Sequence, residues 1–339
     1  MTGHGLHLVP VGDGQVVLKR GINELLVSGE DAEAVAQPLL DGLATGAAVD
    51  VVLMSLPVER RQAAVQLLQA LASRQMLGNG AEAGDDTPQE SFYANFGPAA
   101  RSVPDALAAA HVAVHGIGFV TCGLVEGLAA VGVGRVTVID EAPLRNAAAS
   151  ADARAELPRS SVQLLDGPDA VISDADIVVA TSDLGQEHAL LEVGRRALAS
   201  QSRFLPAWLA EMTGYVGPLT HPFETACLRC YLLRVDSNDP NRAARRALRR
   251  RVAEDAAVGA ASGLLTPMAS VVAQIAVMEV AKELGGFAPV DAVGRSIEIN
   301  LVSFRSSVRR VLKVPRCPDC GEPARRTSRT MFSGIQIAG

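Results

Sequence analysis

Two cysteine pairs constrain this chain more than any other feature: Cys227-Leu-Arg-Cys230 and Cys317-Pro-Asp-Cys320. Two intervening residues let both thiolates of a tight turn point at one cation, and two such turns supply the four ligands of a tetrahedral zinc at Zn–S distances near ~2.3 Å. Cys227, Cys230, Cys317 and Cys320 are therefore the expected metal ligands, and a fold that shares one metal between them must tie its last segment back to its middle. Four protein ligands leave no position for water, so the Zn2+ is expected to be structural. A redox role for either pair is the competing reading, and the matched second pair favours zinc. Cys122, the fifth cysteine, reads as a small buried hydrophobe.

Hydrophobic residues make up 48% of the 339 positions, charged residues 20% and aromatics 4%, which describes a soluble globular chain. The formal charge of −6 argues against a general nucleic-acid binder, because phosphate binding needs a basic surface. No run approaches the ~18 uninterrupted apolar residues of a membrane span. The first residues, MTGHGLHLVPVGDG, lack both a basic leader and an apolar signal core. A cytoplasmic protein is expected.

The pattern along the chain is α/β. Three short apolar runs (Leu6–Pro10, Gln15–Arg20, Glu24–Ser28), punctuated by Gly12-Asp13-Gly14 and Gly21, predict a small antiparallel sheet. Helical patterns follow from Asp31 to Leu43 and from Pro57 to about Leu77, the second with Val58, Val65, Leu68 and Leu71 on one face. Residues 1–77 thus predict a winged-helix-like module. Residues 78–104, rich in Gly, Asp, Pro, Ser and Asn, read as a linker pinned by Phe92, Tyr93 and Phe96. From 105 to 321 the order changes. The run His111–His115 reads as a buried strand, then come a helix with Leu124, Leu128 and Val131 and a second strand, Arg135–Ile139. A third strand, Asp176–Ala180, a long helix from Leu264 to Leu284, and two late strands (Ser296–Val302, Ser307–Val314) complete the domain. Continuous apolar strands interleaved with helices predict a Rossmann-like domain with a parallel-rich sheet. Residues 322–339 read as a mobile polar tail.

Gly116-Ile-Gly118, after a strand and before a helix, has the context of a nucleotide-phosphate loop. The third glycine of G-x-G-x-x-G would fall at Thr121, and Asp140, ending the next strand, would hold a ribose hydroxyl. The competing reading keeps the turn for packing alone.

These residues, with Gly132-Val-Gly, Ile177-Val-Val-Ala-Thr-Ser-Asp183, the helix end Ala276-Val-Met-Glu279-Val-Ala-Lys282 and the paired C-x-x-C motifs, resemble the ThiF and ubiquitin-activating-enzyme-like family over roughly 105–321. The segments Val216–Arg234 and Val314–Gly321 are similar to the subgroup of cyclodehydratase C proteins, or precursor-leader-binding proteins, of azole and azoline (TOMM) biosynthesis. Residues 1–77 resemble its PqqD-like recognition element. The resemblance implies a ThiF-like fold with a four-cysteine zinc site. Asp183 matches the family's magnesium-binding aspartate. An aspartate expected two places beyond Asp140 is Ala142, the ATP-contacting Ser-Asn-Leu and arginine fall on Ala147–Ala151, and a further arginine is His188. Without those groups the triphosphate charge lacks compensation, so Gly116, Gly118, Asp140 and Asp183 are expected to be a degenerate nucleotide site, and ATP is not expected on this chain. The chain is expected to be a non-catalytic component that binds the leader of a ribosomally made peptide (RiPP biosynthesis) and serves a separate ATP-dependent YcaO cyclodehydratase.

In that reading the third strand (Glu24, Leu25, Leu26, Val27, Ser28) and the helix positions Arg61, Gln62, Gln66 and Gln69 line a groove to which an extended leader adds as a strand. Whether Leu25 and Val27 or Leu26 and Ser28 face the core is left open. The arginines from Arg242 to Arg251 form either a solvated helix face or a docking surface for an acidic partner, and a homodimer is left open. Two enzymes remain as alternatives: an ATP-dependent adenylating protein acting on a peptide or carrier carboxylate, and a nicotinamide-dependent oxidoreductase.

Overall fold

The computed structural model describes residues 5–74, 76–77, 87–146, 162–166, 174–255, 258 and 263–321. The chain forms two compact units, Met1–Pro104 and Asp105–Gly339.

The first unit opens with β1 (His7–Gly12), β2 (Gln15–Arg20) and β3 (Asn23–Ser28), an antiparallel sheet in the order β1-β2-β3. Gly14 and Gly21 take left-handed backbone in the two tight turns, φ +71° and +56°, which an L side chain rarely adopts. The cross-strand pairs Val16↔Val27 and Leu18↔Leu25 point one way, and Val17↔Leu26 the other. The first set enters the core against α1 (Ala32–Ala44), α2 (Val49–Ser55) and α3 (Val58–Ser73). In α3 the buried stripe is Ala64, Leu67, Leu68 and Leu71, spaced i, i+3, i+4, i+7. The sequence pattern places Val58 and Val65 on that face, but they are 73% and 38% exposed. The buried arc is centred about one position earlier than the valines suggest, because Ala64 is small enough to pack closely. The helix α2, between the two predicted helices, is an element the periodicity does not reveal.

The stretch read as a linker, 78–104, is structured where it is described. It holds α4 (Pro88–Ala94) and a 3-10 turn (Pro98–Ser102), and it clusters with the first unit. Thr87 and Glu90 form a capping box at the start of α4. Phe92 meets Tyr93 and Phe96 edge to face, at 5.4 and 5.3 Å between ring centroids. Asn95 fastens α4 to the β2–β3 turn, its Oδ1 accepting from the Ile22 N–H at 3.0 Å.

The second unit takes in most of α5 (Val103–Ala109), followed by β4 (His111–His115), α6 (Phe119–Ala130) and β5 (Arg135–Asp140). It continues through β6 (Val162–Asp166), β7 (Ile177–Ser182), α7 (Glu187–Ala199), β8 (Arg203–Ala210) and β9 (Thr213–Val216). The last elements are α8 (Leu228–Asn238), α9 (Arg242–Glu254), α10 (Thr266–Gly285), β10 (Arg295–Asn300) and β11 (Ser306–Arg310). The eight strands lie in the order β11-β10-β9-β8-β7-β4-β5-β6. The run from β8 to β6 is parallel throughout, and β9, β10 and β11 extend it antiparallel. This is the expected mixed α/β, Rossmann-like, parallel-rich architecture. The sequence pattern misses β6, β8, β9 and α7. β8 carries Pro206, which obscures it as a strand, and β9 is only four residues long.

Both faces of the parallel region are covered, so β4 and β7 are buried at every position. Ala113, Val178 and Ala180 pack with Leu190, Leu191 and Val193 of α7 on one face. On the other side α6 lies against α10 through glycines: a Cβ at Gly123 would meet that of Ala273 at 3.0 Å, and one at Gly127 would meet Val277 Cγ2 at 2.6 Å. No helix among the described residues is long and apolar enough to cross a membrane. Residues 322–339, expected as a mobile tail, lie outside the described residues.

Candidate functional site

The chain leaves β4 and turns to β5 on one side, while β7 returns on the other, so β4 and β7 flank the sheet's topological switch point. The Gly116-Ile-Gly118 turn sits there. Gly116 has φ +116°, and a Cβ on it would lie 2.6 Å from the Thr181 carbonyl. Thr121, in place of a third glycine, donates its hydroxyl to Gly116 O at 3.0 Å and pairs with Thr181 Oγ1 at 2.7 Å. The turn is thereby locked onto the end of β7.

What fills the turn is a carboxylate. Asp183, 6% exposed, accepts the Phe119 N–H through Oδ2 at 2.7 Å and the Val120 N–H through Oδ1 at 3.0 Å. Asn146 Nδ2 adds a third donor to Oδ2 at 2.8 Å. A Cβ at Gly118 would sit 2.4 Å from Asp183 Oδ2, so glycine is required for the carboxylate to approach. The first N–H groups of α6 are the donors a helix N-terminus offers to a phosphate, and here the chain's own anion occupies them. Asp140 is 2% exposed and accepts from Arg145 Nε at 2.9 Å. Beside it a buried carboxylate, Glu141, pairs with His115 Nδ1 at 2.5 Å and with Arg196. Burial pushes the Glu141 carboxyl up, but the hydrogen bonds and charges of His115 and Arg196 outweigh it and hold the group below its ordinary value. Asn146 and the His115–Glu141–Arg196 set carry no signal in the sequence, because their partners lie dozens of residues away along the chain. Ala142 lies in a 3-10 turn, Ala142–Leu144. His188 is exposed on α7, 4.0 Å from Glu192, and Ala147–Ala151 lie outside the described residues.

The four cysteines meet. Cys227, Cys230, Cys317 and Cys320 are at most 4% exposed, and their sulfurs lie within 4.8 Å of one another. The closest Sγ–Sγ separations are 3.4 Å (Cys230–Cys320), 3.6 Å (Cys227–Cys317) and 3.9 Å (Cys227–Cys230). A tetrahedron with Zn–S near ~2.3 Å has edges of about 3.8 Å. The donor set therefore fits a zinc ion enclosed on all sides. Each knuckle supports the other: Arg229, inside the first C-x-x-C, donates to Asp319, inside the second, at 3.0 Å. The Val314 N–H points at Cys230 Sγ from 3.3 Å, a donor suited to a thiolate.

In the first unit β3 is a sheet edge among the described residues. The Gly29 N–H bonds Gly14 O at 2.9 Å. With the β2–β3 register, this means Asn23, Leu25 and Val27 spend their backbone groups on β2, while those of Glu24, Leu26 and Ser28 face outward. Helix α3 runs beside this strand in the opposite sense: Arg60 pairs with Asp31 at 2.8 Å at one end and Arg74 donates to Glu24 O at 3.0 Å at the other. Leu25 enters the core and Val27 is half-buried, while Glu24, Leu26 and Ser28 are exposed, which settles the facing that the sequence left open. Of the helix residues, Gln62, Gln66 and Gln69 are exposed. Arg61 is committed, donating to Leu56 O and Met54 O at 3.0 and 2.9 Å.

Four of the arginines of α9 are partnered locally. Arg245 pairs with Asp239, Arg246 and Arg249 with Asp236, and Arg251 with Asp255. Those on Asp236 hold its carboxyl below its ordinary value against the opposing effect of burial.

The ThiF family matches residues 147–322. No curated protein matches the sequence. Among solved structures, the microcin C7 biosynthetic enzyme MccB in complex with N-formylated MccA has a TM-score of 0.65 at 18% identity, covering 95% of this chain and 99% of that one. E. coli MccB with ATP has a TM-score of 0.62 at 17% identity, with coverage of 95% and 99%. A heterocyclase in complex with substrate and cofactor has a TM-score of 0.61 at 17% identity, but this chain covers only 39% of that longer one. At such identities the likeness is one of fold. The family match, by contrast, spans more than half of the sequence and includes all four clustered cysteines: the chain belongs to the ThiF family.

Proposed function

We propose that this chain captures the leader of a ribosomally made precursor peptide and presents it to a separate ATP-dependent YcaO cyclodehydratase that forms azoline or azole rings. The observation that carries this reading is the open edge of β3, with the backbone groups of Leu26 and Ser28 facing outward beside α3. A peptide laid there as a fourth strand gains main-chain hydrogen bonds from the edge and side-chain selectivity from Leu26, Gln62, Gln66 and Gln69. The first unit serves as a PqqD-like, winged-helix-like clamp. The second is a frame stapled by Zn2+, and Asp183 in its glycine turn supports a frame that does not itself activate substrate with ATP. Similar folds in MccB bound to N-formylated MccA and in a heterocyclase bound to its substrate and cofactor support a place in peptide-modifying biosynthesis.

The test is fluorescence anisotropy of labelled leader peptides against the intact chain and its Leu26→Pro variant. Proline removes one outward N–H while remaining compatible with an edge strand. Binding at micromolar or tighter affinity, weakened at least about tenfold by the proline with an unchanged circular dichroism spectrum, is expected. Equal affinity of the two proteins would remove the clamp from this edge. One observation favours a second reading, adenylation of a peptide or carrier-protein carboxylate by this chain: Gly116, Gly118 and Asp183 adjoin at the switch point. ATP–pyrophosphate exchange by the purified chain would establish that reading instead.

A further inference from the structure

The eight-stranded sheet ends on β11, an edge among the described residues. Its register on β10 tells which backbone groups are spent. The Asn300 N–H bonds Arg305 O and the Val311 N–H bonds Gly294 O, both at 2.9 Å, so Ser307 and Arg309 turn their N–H and C=O groups toward β10. Those of Ser306, Val308 and Arg310 face away from the sheet and have no partner among the described residues. An extended segment laid alongside would meet alternating donors and acceptors.

The side chains select the kind of segment. From Arg305 to Arg316 the chain carries Arg305, Arg309, Arg310, Lys313 and Arg316 and no acidic residue, in a protein of net charge −6. Arg309 pairs with Glu298 at 3.1 Å, and Lys313 donates to Phe223 O. Arg305, Arg310 and Arg316 are exposed and have no ion pair among the described residues. Arg310 also stands opposite Arg295 in a non-hydrogen-bonded pair, where side chains approach most closely and like charges destabilise a sheet. Arg295 has Asp291 at 3.9 Å to offset this, and Arg310 has no such counter-charge among the described residues. Val308 and Leu312, 51% and 52% exposed, set apolar surface between the cations.

Basic residues on an edge strand discourage pairing between copies of a chain. The charges that repel a second copy attract an acidic strand. A nucleic acid would match the charge but not the ladder, since phosphates accept hydrogen bonds and leave the outward carbonyls of Ser306, Val308 and Arg310 unmet.

We propose that the β11 edge binds an extended acidic peptide segment, which adds to the sheet as a further strand with a carboxylate against Arg310. All of the residues involved lie in the second unit, so the proposal is independent of the peptide clamp at β3.

Fluorescence anisotropy of the full-length protein tests it with rhodamine-labelled probes. These are a peptide alternating glutamate and valine, its lysine–valine counterpart, the glutamate–valine peptide N-methylated at every amide, and an oligothymidylate of equal charge. The glutamate–valine peptide is expected to bind, more weakly as salt is added, and to bind more tightly than each of the other three. Val308→Pro removes one outward N–H and suits an edge strand. It is expected to weaken binding about three- to tenfold. Arg310→Glu is expected to weaken it at least about tenfold and to favour the lysine–valine peptide instead. Leu26→Pro, at the β3 edge, is expected to change nothing. Circular dichroism checks each variant, and should Val308→Pro fail to fold, Arg310→Glu decides alone from its exposed position. Silence of the glutamate–valine peptide would overturn the proposal, as would equal binding of the N-methylated peptide or the oligonucleotide. So would full affinity in the β11 variants, or binding lost in Leu26→Pro.

Discussion

Replacing Asp183 by alanine tests the account of the glycine turn most directly. The substitution strands three donors at once: the N–H groups of Phe119 and Val120 and the Nδ2 of Asn146, now bonded at 2.7, 3.0 and 2.8 Å. Hydrogen bonds to a charged acceptor contribute about 1.5–3 kcal/mol each, and a carboxylate at a helix N-terminus a further ~0.3–1 kcal/mol. Water entering the vacated space restores part of this, which leaves a net loss of about 3–5 kcal/mol, or roughly 6–20 °C in the melting temperature of a unit this size. Asp183→Asn, which keeps the shape and one acceptor oxygen, should lose about half as much. Differential scanning calorimetry measures both. The same experiment in phosphate buffer separates a structural acid from an anion plug: vacating the helix N-terminus should let inorganic phosphate stabilise the alanine variant, by ~2.7 kcal/mol at a hundredfold excess over its dissociation constant. Wild type, with its own carboxylate in place, should gain nothing. A wild-type gain equal to the variant's, or a variant that melts with wild type, would refute the reasoning.

Zinc should be present at one ion per chain by elemental analysis. Cys230→Ser or strong chelation should unfold the second unit cooperatively, since a closed tetrathiolate site carries ~10–16 kcal/mol of apparent binding free energy; retention of the full melting transition after complete metal removal would exclude a structural role. The depressed Glu141 carboxyl gives stability that is present above its unfolded value and is lost as pH falls through the lower folded value. Glu141→Gln should therefore destabilise the protein at pH 7 and flatten its stability below about pH 4, while an unchanged acid transition would show that the buried pair carries no linkage. Gly127→Ala sets a helix-propensity gain of up to ~1 kcal/mol against overpacking of ~1–3 kcal/mol. With Val277 Cγ2 2.6 Å from the new Cβ the packing penalty should win, and a variant more stable than wild type in urea would show that α10 yields at this contact.

Much of the architecture is legible because it is written locally. The parallel strands β4, β5 and β7 are continuous apolar runs, and the hairpin turns carry glycines where positive φ is needed. The cysteine spacing names all four members of the cluster. Periodicity locates helix α3 correctly but rotates it in phase, since the exposed Val58 and Val65 imitate a core stripe. Phe92 and Phe96 mark order in a stretch whose composition otherwise argues for a linker.

By itself, then, the sequence determined the parallel-rich α/β frame and named the four cysteines that cluster, since periodicity and the geometry of a two-residue spacer act over a few residues. Only the tertiary structure decided what fills the glycine turn, because Asp183 reaches Phe119 and Val120 from more than sixty residues away. The edge of β3, unpaired among the described residues, has the same origin. Whether a polar group finds a partner depends on which distant segments arrive beside it, and that is settled by packing rather than by neighbours in the chain.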